Sequence, residues 1–432
     1  MSKSLPQKPR LVTIVEVAFF AFALASLTYA VATAPGQGID VAAFRNIGLS
    51  WIGGNYRIYG PPPFSAVLFS PLAMLSLPQS LILCLALNLL ATGACIVLVR
   101  ALLGSMWPFR AVCYLSALLL SWAPYRVTLR VGQISLIVTA LLLGSVLSWK
   151  RDKRILAGLL LGLSLCKYPL SLPFFLYFVW RKEWKIAATA LVVVAALTEI
   201  FSLRLGLSPL QVILDYVRVT GHRSLSNDAH FAGSTEIGPL LFALTGNESL
   251  ANGLNIALAA LALVAMGLVF TQTPRFEKMH LAILAFFSLW YVYHRTYDSV
   301  VCILPAAFFI DLIIRRKFLA FAVTCLSSLG LLAVSVPGLL TARLKLDVGT
   351  LSATPMGFLG LHIERILVFG LFWALLVLLW RVRATDDVAK KESGALAHPS
   401  EINISRPTDR SRSFEFDRGI HSPSHAPHVH RL

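Results

Sequence analysis

Few residues of this chain can do chemistry, and most of them interrupt or border long apolar runs. Asp40 comes first. It lies in the stretch PGQGIDVAAFRNIGLSWIGGNYRIYGPPPFSAVLFSPLAMLSLP, from Pro35 to Pro78, with Arg45 and Arg57 following. An ionised carboxylate at a membrane boundary is costly, so such residues tend to face a cavity or mark a functional pathway. Asp40 could mark such a pathway. It equally suits the N-cap of an interfacial amphipathic helix, with Val41, Phe44, Ile47 and Trp51 on one face. Two aromatics, Tyr56 and Tyr59, precede a triple proline, Pro61 to Pro63.

The other candidates are mostly cations. Arg126 and Arg130 flank a turn that ends in Gly132-Gln133, as interface anchors or as phosphate ligands. Lys167 sits in apolar sequence at Lys167-Tyr168-Pro169, where proline removes a backbone donor and breaks or bends a helix. It could snorkel to the interface or meet a lipid phosphate. His294, Arg295 and Asp298 share one short turn, which is either self-paired or a site for an anionic ligand. Glu199 could pair with Arg204, and the polar stretch from Asp215 to Asp228 is either a cap over a cavity or solvated loop.

The scaffold that must position these groups is a membrane one. The chain has 432 residues, 57% of them hydrophobic and 14% charged, and its mean hydropathy is +0.73. A soluble globule does not have this balance, whereas an integral membrane protein does. The net charge of +17 is not a nucleic-acid signal, because the Lys and Arg lie in short clusters between apolar runs. All six cysteines lie inside apolar stretches without CxxC or Cys/His metal spacing. The first apolar run has no clean cleavage site and reads as a retained helix.

Apolar runs at 11–34, 79–99, 109–123, 132–149, 155–180, 186–204, 249–271, 281–293, 299–314, 318–337 and 363–380 are the expected spans. The 155–180 run is one kinked helix or a pair of short ones. With two crossings there, every compact basic cluster falls on one side, which predicts an all-α bundle of about 10–13 transmembrane helices with both ends cytoplasmic. The expected domains are a cytoplasmic N-terminus (1–10), a transmembrane body (11–383) and a disordered cytoplasmic tail (384–432). That tail carries five histidines between His398 and His430. The candidate residues then gather on the outer side, in loops, where sites are usually built.

Taken in order, several short motifs resemble glycosyltransferase family 87. They are Asp40 in the first outer loop, an aromatic and Pro-Pro before FSAVLFSPLAMLSLP, and Arg126 with Gly132-Gln133-Ile134-Ser135. Gly158, Gly162 and Lys167-Tyr168-Pro169 follow, then Tyr293-His294 and Tyr297-Asp298. The likeness runs from about residue 11 to about residue 380. One departure is that Pro61 takes the place where the family often has Tyr before Pro-Pro, with Tyr59 two residues earlier.

That family comprises polytopic GT-C enzymes described as polyprenyl-phosphate-mannose-dependent alpha-mannosyltransferases. The resemblance implies transfer of a hexose from a polyprenyl-phosphate sugar to an envelope glycan or glycolipid. The reaction would occur at the outer face of the plasma (inner) membrane, with inversion. It implies Asp40 as general base, and Arg126, Lys167 and Arg295 as cations for the leaving phosphate. Tyr59, Arg130, Gln133, His294 and Asp298 are the further substrate contacts expected. No cofactor is called for, and the sequence has no nucleotide-binding motif or metal cluster, although a lone cation shared by Asp40 and the lipid phosphate is compatible with it. The rival functions are a transporter or flippase for lipid-linked saccharides and a ligase using a diphosphate-linked donor. The absence of repeat symmetry and the long first loop count against transport.

Overall fold

The computed structural model describes residues 10–56, 60–104, 107–220, 234–352 and 354–396, and among these the regular elements are helices. The chain divides into two units, Met1–Arg383 and Ala384–Leu432. Among the described residues, eight helices are long and apolar enough to cross a membrane, or nine if the pair Phe109–Ser121 and Ala123–Val131, bent by 58°, counts as one span. The 10–13 expected from sequence included shorter runs, and these shorter runs shape the site.

The segment from Lys153 to Leu205 shows how. Helix α8 (Arg154–Ser164) ends in a single tight turn, Leu165–Lys167, before α9 (Tyr168–Trp180) and then α10 (Trp184–Leu205). By length and composition alone, Arg154–Trp180 passes as one span. Its two ends nevertheless meet, because Arg154 Nε lies 3.6 Å from Glu183 Oε2. Helix α8 therefore runs up, the chain reverses at Lys167, and α9 returns. Pro169 at the start of α9 suits this break, since the N–H that proline lacks is one that a helix leaves unpaired in its first turn.

Helix α8 packs parallel to α10 through two glycines. A Cβ on Gly158 would meet the Ile186 carbonyl at 2.7 Å, and one on Gly162 the Ala190 carbonyl at 2.9 Å. This shared register measures the depth of the fold. Beyond the level of Lys167, α10 continues for about another nine residues, roughly 13 Å at 1.5 Å per residue.

Other segments that reach the same floor are also short: α7 (Ser135–Lys150) and α14 (Glu277–Trp290). Long helices form the wall around them, among them α1 (Arg10–Thr33), α4 (Leu77–Leu103), α13 (Glu248–Gln272) and α17 (Pro355–Leu396). The bundle thus encloses a basin, with irregular backbone covered by protein as a low-dielectric setting requires.

The first loop roofs part of this basin. Helices α2 (Ile39–Ile52) and α3 (Ser65–Ala73) pack on each other and on the overhanging end of α10. Val41, Phe44 and Ile47 form the buried face of α2, with the Phe44 and Phe69 rings 4.5 Å apart. Trp51 stacks on Phe201 and donates to its carbonyl at 3.1 Å. The amphipathic face expected for α2 is present, but the N-cap is Gly38, and Asp40 occupies the first turn.

Arg204 does not pair with Glu199 as expected. Its guanidinium donates to the Ile52 carbonyl at the free end of α2, from Nε at 3.1 Å and also from Nη2. Helix α17 runs to Leu396. The tail residues 397–432, and the histidines in them, lie outside the described residues, as does the loop from Gly221 to Gly233.

Candidate active site

Asp40 is fixed from two directions. The first turn of α2 presents it at a helix N-terminus, where the helix dipole favours a carboxylate. Gln133 Nε2 donates to Asp40 Oδ2 at 3.0 Å, while the other end of the same amide accepts the Ile134 N–H at 2.9 Å. Gln133 can reach because Gly132 adopts φ +74° at the end of α6 (Ala123–Val131). A Cβ at Gly132 would run into Val41, so this approach of the turn to α2 requires glycine. Burial pushes the Asp40 carboxyl above the usual carboxylate range, against the opposing pull of Lys167, Arg295 and the Gln133 amide.

A second group faces it. Lys167, at the tip of the α8–α9 reversal, places Nζ 2.5 Å from Asp298 Oδ1 and donates to Ser135 Oγ at 2.9 Å. Ser135 in turn donates to Asp298 Oδ1 at 2.6 Å. His294 Nδ1 lies 2.8 Å from Asp298 Oδ2, and the buried His294 Nε2 has no hydrogen-bond partner among the described residues. The Tyr297 ring centroid is 5.0 Å from Lys167 Nζ, within cation–π range. Asp298 is thus the hub that orients a lysine and a histidine together.

Both groups open on one cavity of about 800 Å³. Asp40, Gln133, Lys167, His294 and Asp298 line it, together with an apolar surface that includes Phe44, Pro61, Pro62 and Tyr168. A pocket of this size with a few converging polar groups is the form expected of a small-molecule or lipid-headgroup site. Arg295 is exposed at its edge, bonds the Tyr293 hydroxyl and acts electrostatically on Asp40.

Two expected contacts lie elsewhere. Arg126 donates to Ser26 Oγ at 2.9 Å and to the Ser121 carbonyl at 3.0 Å, fastening α1 to the bend before α6. Arg130 donates to Gln37 Oε1 at 2.7 Å and stacks on Tyr29. Neither arginine lines the cavity. Tyr59 lies outside the described residues.

A clamp behind the His294 turn was not anticipated from sequence. The segment at Ser234–Ile237 runs beside the turn, with Thr235 N donating to the His294 carbonyl at 3.0 Å and Ile237 N to the Trp290 carbonyl at 3.0 Å. Helix α17 holds both segments of this arrangement. Glu364 accepts from Thr296 Oγ1 at 2.9 Å, and Arg365 donates to Ser234 Oγ at 3.0 Å. Glu364 and Arg365 are buried, and the available signal was an adjacent charged pair at the head of the apolar run 363–380.

The model of glycosyltransferase family 87 matches residues 59–292, more than half of the chain. The chain belongs to glycosyltransferase family 87. This family 87 match includes Gln133 and Lys167, whereas Asp40 precedes it and the His294–Asp298 turn follows it. Among solved structures, the crystal structure of ArnT from Cupriavidus metallidurans in the apo state is similar at 13% identity and a TM-score of 0.41. The similarity covers 85% of this chain and 77% of that one. No curated protein matches the family 87 chain.

Proposed function

We propose that this membrane glycosyltransferase moves a hexose, mannose by the family resemblance, from a polyprenyl-phosphate sugar to an envelope glycan or glycolipid. The reaction takes place on the outer face of the plasma (inner) membrane. The observation that carries this reading is one cavity with Asp40 on one wall and the Lys167–Asp298–His294 group on another. A single held carboxylate opposite a held cation suits displacement of a phosphate by a hydroxyl.

In this mechanism Asp40 accepts the proton of the acceptor hydroxyl as the oxygen attacks the anomeric carbon. The new C–O bond forms on the face opposite the phosphate, and the old C–O bond breaks with its electron pair going to the lipid phosphate. A beta-linked donor therefore gives an alpha product. The transition state carries oxocarbenium character at the sugar. An ammonium has three N–H donors; Asp298 and Ser135 take two from Lys167, which leaves one for a phosphate oxygen. Arg295 adds positive potential at the edge, where charge develops on the leaving group. Burial raises the Asp40 pKa, which makes the carboxylate a stronger base than an ordinary aspartate.

The test is transfer of labelled mannose from polyprenyl monophosphate and diphosphate donors by the purified protein in detergent. Product from the monophosphate donor supports the reading. Product from the diphosphate donor alone indicates a ligase, and movement of label only across sealed vesicles indicates a transporter.

A further inference from the structure

Helix α11 (Pro209–Thr220) directly follows α10, and its side chains sort into three stripes rather than two. At 100° per residue, with Val212 as zero, Val219, Tyr216, Pro209 and Thr220 fall within about 80° of it. Val212 is 5% exposed, while Val219 at the far end is 52% exposed and lines the cavity, so this stripe faces the protein and then its cavity. Ile213, Val217, Leu210 and Leu214 occupy about 100° to 200°. These four are 50%, 60%, 66% and 56% exposed. Arg218, Gln211 and Asp215 fill about 240° to 300°, with Arg218 and Asp215 paired at 3.6 Å.

A helix on a soluble protein needs only a buried stripe and a wet one. The third, apolar and uncovered, needs a third medium. At the adjoining end of the apolar helix α10, Ile200 and Leu203 are also exposed, as is Leu207 in the linker between the two helices. Ser208 supports the start of α11, its hydroxyl accepting from Gln211 N at 3.2 Å, so the helix leaves the span in a fixed direction.

The far end of α11 reaches the site. Val219 and Thr220 line the cavity, and Tyr216 donates its hydroxyl to the Gly60 carbonyl at 3.0 Å, beside the cavity-lining Pro61 and Pro62. We infer that α11 lies in the bilayer interface with its Leu210–Ile213–Leu214–Val217 stripe among acyl chains, and that it is the lipid-facing wall of the cavity. The occupant of the stripe is bilayer lipid. The consequence for catalysis, that a lipid-borne donor passes along this wall, rests on the reading given under Proposed function.

The test separates the two. Nitroxide labels are placed one at a time on cysteines introduced at residues 210 to 218, in the full chain carrying Cys113→Ser and reconstituted in phospholipid vesicles; the other native cysteines are buried. Collision with oxygen reports lipid, and collision with a water-soluble nickel chelate reports water. The oxygen-to-nickel ratio should be about threefold or more higher at 210, 213, 214 and 217 than at 211 and 218, with both quenchers weak at 212. Equal nickel access at 213, 214 and 217 would overturn the assignment, as would protection of these sites from both quenchers, which would mean a protein cover. Neither readout needs activity. In a transfer assay, Val217→Asp should raise the KM for a long-chain donor about tenfold while leaving a short-chain, water-soluble analogue unaffected. An unchanged long-chain KM would overturn the role in the cavity wall.

Discussion

Two buried aspartates in this protein each hold a lysine, and only one of them belongs to a candidate site. Asp311 accepts from Trp107 Nε1 at 3.1 Å, from Arg315 Nε at 3.0 Å and from Lys278 Nζ at 3.3 Å. Lys278 also donates to the Leu103 carbonyl at 2.9 Å, and the space beside it is about 20 Å³. Asp298 holds Lys167 and His294 at the edge of about 800 Å³. An intramembrane ion pair is therefore no evidence of function by itself. The Asp311 group spends its hydrogen bonds tying the ends of α4, α14 and the helix Ile303–Ile314 together, whereas the Asp298 group keeps donors directed at room for a ligand.

This difference can be broken by mutation. Lys167→Ala should lower kcat/KM about 100-fold in the transfer assay, with a raised donor KM, because it removes charge facing the leaving phosphate. Lys278→Met should leave kcat/KM within about threefold and instead lower stability by about 2 kcal/mol, read as a fall in Tm, because Asp311 loses a buried partner. Equal kinetic losses in the two variants would erase the contrast. His294→Gln keeps a polar partner for Asp298 and should cost about tenfold in kcat, a loss smaller than that of the lysine itself.

The pH profile sharpens the roles further. Because the Asp40 pKa is raised, lowering the pH protonates this base earlier than an ordinary aspartate, so the acid limb of kcat/KM should lie above the usual carboxylate range. The Gln133 amide stabilises the charged form, so Gln133→Leu should move that limb to still higher pH; a shift to lower pH would contradict the assignment. Arg126→Gln should have the smallest effect, with kcat/KM within about twofold and stability down by about 1 kcal/mol from the lost contacts to Ser26 and the Ser121 carbonyl.

Much of the framework is legible in the sequence because it depends on local patterns. The apolar face of α2, the break at Lys167-Tyr168-Pro169 and the polar turn at His294–Asp298 all follow from spacing of neighbouring residues. The depth of the basin does not. Nothing in the 155–180 run states that it reverses, and the glycines that pack α8 on α10 meet side chains some thirty positions away. The same limit explains the arginines. Arg126 and Arg204 each find partners about a hundred residues or more away, Ser26 and Ile52, so a count of cations near the ends of the apolar runs could not separate fasteners from ligands. Glu364 and Arg365 lay hidden for the same reason, their partners Thr296 and Ser234 being contributed by distant loops.

The central claim is that Asp40 removes the acceptor proton in a cavity whose opposite wall binds the donor. Single-turnover transfer by Asp40→Asn, measured beside equilibrium binding of the polyprenyl-phosphate donor, tests it most directly. The expected result is donor affinity within about twofold of the parent and transfer slowed by about 10² to 10⁴. Transfer at the parental rate would contradict the account.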